Sequence, residues 1–156
     1  MKIKLIKATV DDAQNLLAMQ KICFMPHLQR YRDYESSPAT ATIDTILWII
    51  ENENYYKIMY DNKCVGAINV RKDNDLGEYK LRTINILPEY QGKGVGQVAI
   101  PLAEQLFPDA TKWYLETLAD MPENRHLYEK MGYVFTGKTE MINERLTLVF
   151  YEKNVS

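Results

Sequence analysis

Apolar residues recur along this chain with two different periods, and the switches between them mark its elements. Lys2-Ile3-Lys4-Leu5-Ile6-Lys7-Ala8 alternates charged and apolar side chains, which predicts a half-buried strand. Thr9 then offers a helix cap with Asp12 in a capping-box position, and Ala13, Leu16, Leu17 and Gln20 fall on one helical face. The chain is expected to break near Pro26, so Cys23 to Ala41 reads as a short helix plus loop. Thr42 can cap a second amphipathic helix, with Ile43, Ile46, Leu47 and Ile50 inward and Trp48 expected to pack. The runs Tyr55 to Tyr60 and Cys64 to Val70 flank Asp61-Asn62-Lys63, which is a hairpin signature. A polar turn from Lys72 to Gly77 leads into a strand beginning near Glu78. Connections this short make the three strands antiparallel neighbours.

The stretch from Thr83 to Phe107 carries the strongest pattern. Thr83, Ile84, Ile86 and Leu87 are strand-like, and Pro88 ends the ladder because it has no N–H. Gln91-Gly92-Lys93-Gly94-Val95-Gly96 follows. Val95, Val98, Ala99, Leu102, Ala103 and Leu106 then recur as one helix face, which puts the glycines at a helix N-terminus. The first N–H groups of a helix lack intrahelical partners and carry the positive end of the macrodipole, so an anion such as phosphate binds there. Glycine lets the backbone approach the anion, and Lys93 adds a charge at the rim. A glycine cluster alone is equally compatible with a plain change of direction. Beyond it, Lys112 to Thr117 is a compact strand, parallel to the one before the glycine turn. Asn124 to Met131 is a short helix closed by Gly132, and Tyr133 to Met141 with Arg145 to Tyr151 forms a last hairpin.

Composition narrows the class. With 156 residues, 46% apolar and 26% charged, the chain fits one domain, residues 1–156, with a real core. A net charge of −2 with scattered Lys and Arg argues against nucleic acid as the main partner. Cys23 and Cys64 have neither metal-ligand spacing nor disulfide-scaffold density, so no metal is expected and the cytoplasm is the default. Cys64 reads as a buried structural thiol. No membrane partner is expected, because the longest apolar run, Ile46 to Ile50, is too short to span a bilayer.

Two motifs in this element order resemble the GNAT superfamily of N-acetyltransferases: Leu87-Pro88-Glu89-Tyr90-Gln91-Gly92-Lys93-Gly94-Val95-Gly96 and, further on, Asn124-Arg125-His126-Leu127-Tyr128-Glu129-Lys130-Met131-Gly132-Tyr133. The resemblance spans nearly the whole chain. It implies an α/β (α+β) fold with a mixed, mostly antiparallel sheet of six to seven strands and about four helices. It also implies that acetyl-CoA serves as co-substrate. By matching position, Gln91, Gly92, Lys93, Gly94, Val95 and Gly96 would hold the pyrophosphate, and Ile84, Ile86 and Leu87 would line the pantetheine arm. Asn124 would contact the cofactor. Tyr128 would meet the thioester sulfur and protonate the departing thiolate as general acid. Two positions depart from the family pattern. Met121 stands where many members carry asparagine, and no carboxylate lies between Lys80 and Leu87 to act as base. Glu116, at the end of the neighbouring strand, is the candidate base; a solvated residue paired with Lys112 or Arg125 fits it equally.

The implied reaction is direct transfer of an acetyl group to a primary amine of a small molecule or peptide, since neither cysteine lies in a motif. The competing reading is an acyl-CoA-binding sensor without catalysis, kept open by the missing carboxylate. A dinucleotide- or P-loop nucleotide-binding domain is disfavoured by the glycine spacing. The acceptor is expected against Phe24 to Ala41, with His27, Tyr31 and Tyr34 as candidate contacts. A homodimer is a common outcome for a domain of this size.

Overall fold

The computed structural model describes residues 2–155. Seven strands form one sheet in the order β1-β2-β3-β4-β5-β7-β6. The strands are β1 (Ile3–Lys7), β2 (Asn54–Tyr60), β3 (Lys63–Lys72), β4 (Glu78–Ile86), β5 (Lys112–Leu118), β6 (Val134–Asn143) and β7 (Leu146–Asn154). The helices are α1 (Ala13–Tyr31), α2 (Ile43–Asn52), α3 (Val95–Gln105) and α4 (Pro122–Lys130). Every strand pairing is antiparallel except that of β4 with β5. The hairpin folds β7 back against β5, which leaves β6 as an edge exposed along most of its length.

Two apolar layers hold the sheet. On one face Val95, Ala99, Ile100 and Ala103 of α3 pack against Ile68, Val70, Leu81, Trp113, Leu115 and Tyr151, with Leu127 of α4 and Met131 just after it at the margin. On the other, Ala13, Leu16 and Met19 of α1 meet Ile46 and Ile50 of α2 above Tyr55 and Ala67. β5 shows the alternation expected of a covered strand: Trp113, Leu115 and Thr117 are buried, and the residues between them are half-buried.

Four expectations need correction. α1 does not break at Pro26 but continues to Tyr31. Pro26 is on the exposed side, so the Ile22 carbonyl it leaves without a donor faces water, and the burial of Leu28 and Tyr31 holds the last turns. Trp48 does not pack and is 56% exposed, because it lies across α2 from Ile46 and Ile50. The buried face of α3 runs through Gly96 and Ile100, and Leu106, at the helix end, is exposed. Cys64 is half-buried rather than buried, with its Sγ 3.5 Å from the Gly66 carbonyl. No helix among the described residues is long and apolar enough to cross a membrane.

Candidate active site

The sheet forks at its centre. β4 and β5 are paired only at Glu78 with Lys112, Tyr79 with Trp113 and Lys80 with Tyr114. Beyond that rung β4 stays paired to β3 as far as Ile86, while β5 stays paired to β7 as far as Leu118. The facing edges, 81–86 and 115–118, therefore have no strand between them, and their inward backbone groups are open to an extended ligand. The fork coincides with a bulge in β4. Asn69 pairs with Thr83 but Val70 pairs with Leu81, so Arg82 is the extra residue and is re-aimed by it.

One arm of the fork leads directly into the glycine turn. A single 3-10 turn, Pro88–Tyr90, follows β4, and Gln91 folds back so that its Nε2 donates to the Ile86 carbonyl at 2.9 Å. Gly92 and Gly94 have φ of 74° and 79°, where a side chain would be strained, and a Cβ at either would meet nothing within 4 Å. Gly94 is the N-cap of α3 and supplies no side chain to the first N–H groups of the helix. Lys93 sits over the Tyr90 ring at 5.5 Å, and Lys63 from the start of β3 sits over it at 5.4 Å. The turn is thus an open concavity of helix N–H groups flanked by two cations. Free helix N–H groups beside cations are the kind of arrangement that attracts an anion. Lys63 has no motif of its own and becomes visible only when the start of β3 folds against Tyr90.

α4 closes the other arm. A Cβ on Gly96 would lie 3.2 Å from Leu127 Cδ2 and 3.7 Å from Ile86 Cδ1, so α4 packs directly on the first turn of α3 and the end of β4. That contact carries Tyr128 to the same core margin as Ile84 and Ile86. Tyr128 is half-buried, stands edge-on to Tyr133 at 6.3 Å, and its hydroxyl has no hydrogen-bond partner among the described residues. Burial pushes its phenol up to about 12, so it stays protonated and able to donate. Asn124 is one turn before Tyr128 on the same helix and is half-buried.

Glu116 is placed on β5 within the fork, with its Oε1 3.0 Å from Lys80 Nζ. Its partner is therefore Lys80, not Lys112 or Arg125. Lys112 pairs instead with Glu152, and Arg125 donates to the Tyr151 hydroxyl and the Ala119 carbonyl.

The candidate acceptor residues are not brought to one point. His27 and Tyr31 are neighbours on α1 with ring centroids 6.3 Å apart, and burial pushes the His27 imidazole down. Tyr31 is buried and its hydroxyl donates to Asp120 Oδ1 at 2.6 Å, while Arg30 donates to Oδ2 at 3.0 Å. This clasp ties the end of α1 to the loop that starts α4. Tyr34 is 64% exposed. A pocket of about 290 Å³ lies instead beside β4, walled by the 35–45 segment, with Asn69, Arg82 and Thr83 contributed by the sheet. The oxygens Asn69 Oδ1 and Asn85 Oδ1 are buried without a partner on this side of the fork. Both asparagines read as ordinary strand residues in the sequence, since only the α1 and α2 cover makes them polar groups in a closed space.

The forked sheet thus carries a glycine turn on one arm and a half-buried, unpartnered phenol on the other. The chain belongs to the GNAT family of acetyltransferases, whose family model matches residues 13–133. It is 25% identical over 134 residues to an uncharacterized N-acetyltransferase of Oceanobacillus iheyensis, covering 78% of each chain. Among solved structures it is similar to the PaiA N-acetyltransferase of Thermoplasma acidophilum in complex with coenzyme A, with a TM-score of 0.73, 16% identity and coverage of 99% and 100%. It is also similar to the spermidine N-acetyltransferase of Vibrio cholerae in complex with CoA and spermine, with a TM-score of 0.77, 17% identity and coverage of 97% and 95%. The mixed, mostly antiparallel seven-stranded sheet with four helices is the fold these proteins share.

Proposed function

We propose that this chain moves the acetyl group of acetyl-CoA directly to a primary amine of a small molecule or peptide. The observation that carries the proposal is the placement of Tyr128 and the glycine turn on opposite arms of one fork. The N–H groups of Val95 and Gly96, with Lys93 and Lys63, would hold the pyrophosphate. The open edge at Ile84 to Leu87 would pair with the amide-bearing arm, and Asn124 would contact it. Bound there, acetyl-CoA supplies an acyl group activated by its thiol leaving group.

The protein's own part is positional and acid–base. The fork holds the amine beside the acyl carbon, and free backbone N–H groups polarise the carbonyl. As the C–N bond forms and the C–S bond breaks, the amine loses one proton and the thiolate gains one. Tyr128 donates to the sulfur. Glu116, held by Lys80, receives the amine proton through water.

The test is release of CoA thiol from acetyl-CoA across an amine library, with acetyl-CoA binding followed in parallel by calorimetry. Acceptor-dependent thiol supports transfer. Tight binding without thiol release for any amine would instead identify a sensor.

A further inference from the structure

The pocket beside β4 differs from the fork in its chemistry, and Arg82 dominates it. Its rim is exposed and hydroxyl-rich, with Glu35, Thr42 and Thr45, and its floor is Asn69, which is only 2% exposed. Arg82 and Thr83 enter it from the stretch of β4 that has lost its β5 partner, so the pocket adjoins the place where the acyl group would lie.

The hydrogen bonds of Arg82 fix both its orientation and its remaining capacity. Nη1 donates to both carboxylate oxygens of Glu53, at 2.8 and 3.1 Å. Glu53 is 7% exposed and caps the end of α2, so the pair anchors the guanidinium from behind. Nε and Nη2 have no partner among the described residues. Those two N–H groups form the planar fork that matches a carboxylate in bidentate fashion, which a lysine ammonium cannot do.

Two further features face the same space. Asn69 lines the floor, and its Oδ1 is closed in without a partner, so a small rearrangement would be needed to offer it to an N–H donor. Glu35 adds a negative charge at the rim that attracts an ammonium on approach. The volume, about 290 Å³, suits a small metabolite and not a folded partner.

We infer that the pocket bounded by Arg82, Asn69 and Glu35 selects a small acceptor that carries a carboxylate as well as its primary amine, an amino acid in the broad sense. The Arg82 fork takes the carboxylate, while Asn69 and Thr83 turn the amine towards the fork of the sheet. This inference rests on the proposed acetyl transfer for its reaction, but the recognition it describes is separable from it.

The experiment compares matched pairs, each amino acid against its own decarboxylated amine and its carboxamide, in acetyl-CoA turnover and in calorimetry with CoA present. A bidentate charge-assisted contact predicts that the carboxylate form is favoured by about tenfold or more in kcat/KM. Arg82→Lys keeps a cation beside Glu53 but removes the fork, so the ratio should fall towards unity, with circular dichroism confirming the fold. Equal or better turnover of the decarboxylated amines, or a ratio unmoved in Arg82→Lys, overturns the inference. Carboxylate-selective binding with no thiol release upholds the pocket and sinks the acetyl-transfer reading. Turnover confined to carboxylate-free amines does the reverse, and neither binding nor turnover with any pair sinks both.

Discussion

Lys80 and Tyr114 form the last rung between β4 and β5, and every feature of the site lies beyond it. Lys80 also reaches forward to Glu116, which ties the two diverging strands just where their backbones separate. The fork is thus bounded by a backbone pair on one side and an ion pair on the other.

Tyr128 is half-buried beside Tyr133 with an unpartnered hydroxyl, so under the proposed mechanism removing that hydroxyl should affect chemistry more than binding. Tyr128→Phe is expected to lower kcat by about a hundredfold, the usual scale of a positioned proton donor, while the Kd for acetyl-CoA changes by less than about threefold. Steady-state kinetics at saturating amine with parallel calorimetry checks this. Unchanged turnover removes Tyr128 from the mechanism.

The glycine turn makes a different demand. Gly94→Ala meets no neighbouring atom, yet it places a Cβ at φ 79°, which costs about 1–2 kcal/mol or flips the turn. The Kd for acetyl-CoA is expected to rise by about tenfold or more. Gly137→Ala, at φ 89° in β6 and also free of neighbours, imposes similar strain far from the turn. A similar rise in Kd in that control would mean the effect is one of general stability.

Glu116→Gln keeps the shape of the β5 edge and removes the charge that holds Lys80. As the proposed acceptor of the amine proton, Glu116 should matter to kcat more than to KM, with a fall of about tenfold or more. Loss confined to KM for the amine would make Glu116 a binding residue, and no loss at all would leave proton removal to solvent.

Strongly alkaline pH should destabilise this protein. Burial pushes the phenols of Tyr55 and Tyr128 up to about 12, and burial with a carboxylate partner does the same for Tyr31 and Tyr79. The folded state therefore holds these protons to higher pH than the unfolded chain, whose tyrosines titrate near 10. Their contribution is complete below about pH 10 and is lost as pH rises through about 12. Thermal midpoints measured from pH 8 to 12 should be level at first and then fall, in step with phenolate absorbance at 295 nm. A midpoint that holds steady through pH 12 contradicts the buried tyrosines.

The glycine turn, the α4 motif and the antiparallel run from β2 to β4 were legible in the sequence because each rests on local chemistry. A Cβ is strained at Gly94, Pro88 cannot extend a ladder, and the β2–β3 turn is short enough to dictate its own pairing. Thr42 likewise caps α2, accepting from the Thr45 N–H at 3.3 Å. Other features depended on what lies across space. Pro26 sits in a helix because its lost hydrogen bond falls on the wet side. Trp48 is exposed because the two positions that bury α2 are elsewhere on its circumference.

The sequence by itself determined most of the elements, their order and the glycine turn at the start of α3, since these follow from periodicity, capping and backbone freedom within a few residues. Only the tertiary structure decided where β4 and β5 part, which carboxylate Lys80 and Arg82 hold, and that Asn69 is closed in beneath α1 and α2. The physical reason is that an ion pair, an orphaned carbonyl and an unpaired strand edge are properties of distances between segments. No local pattern encodes them until the sheet has assembled.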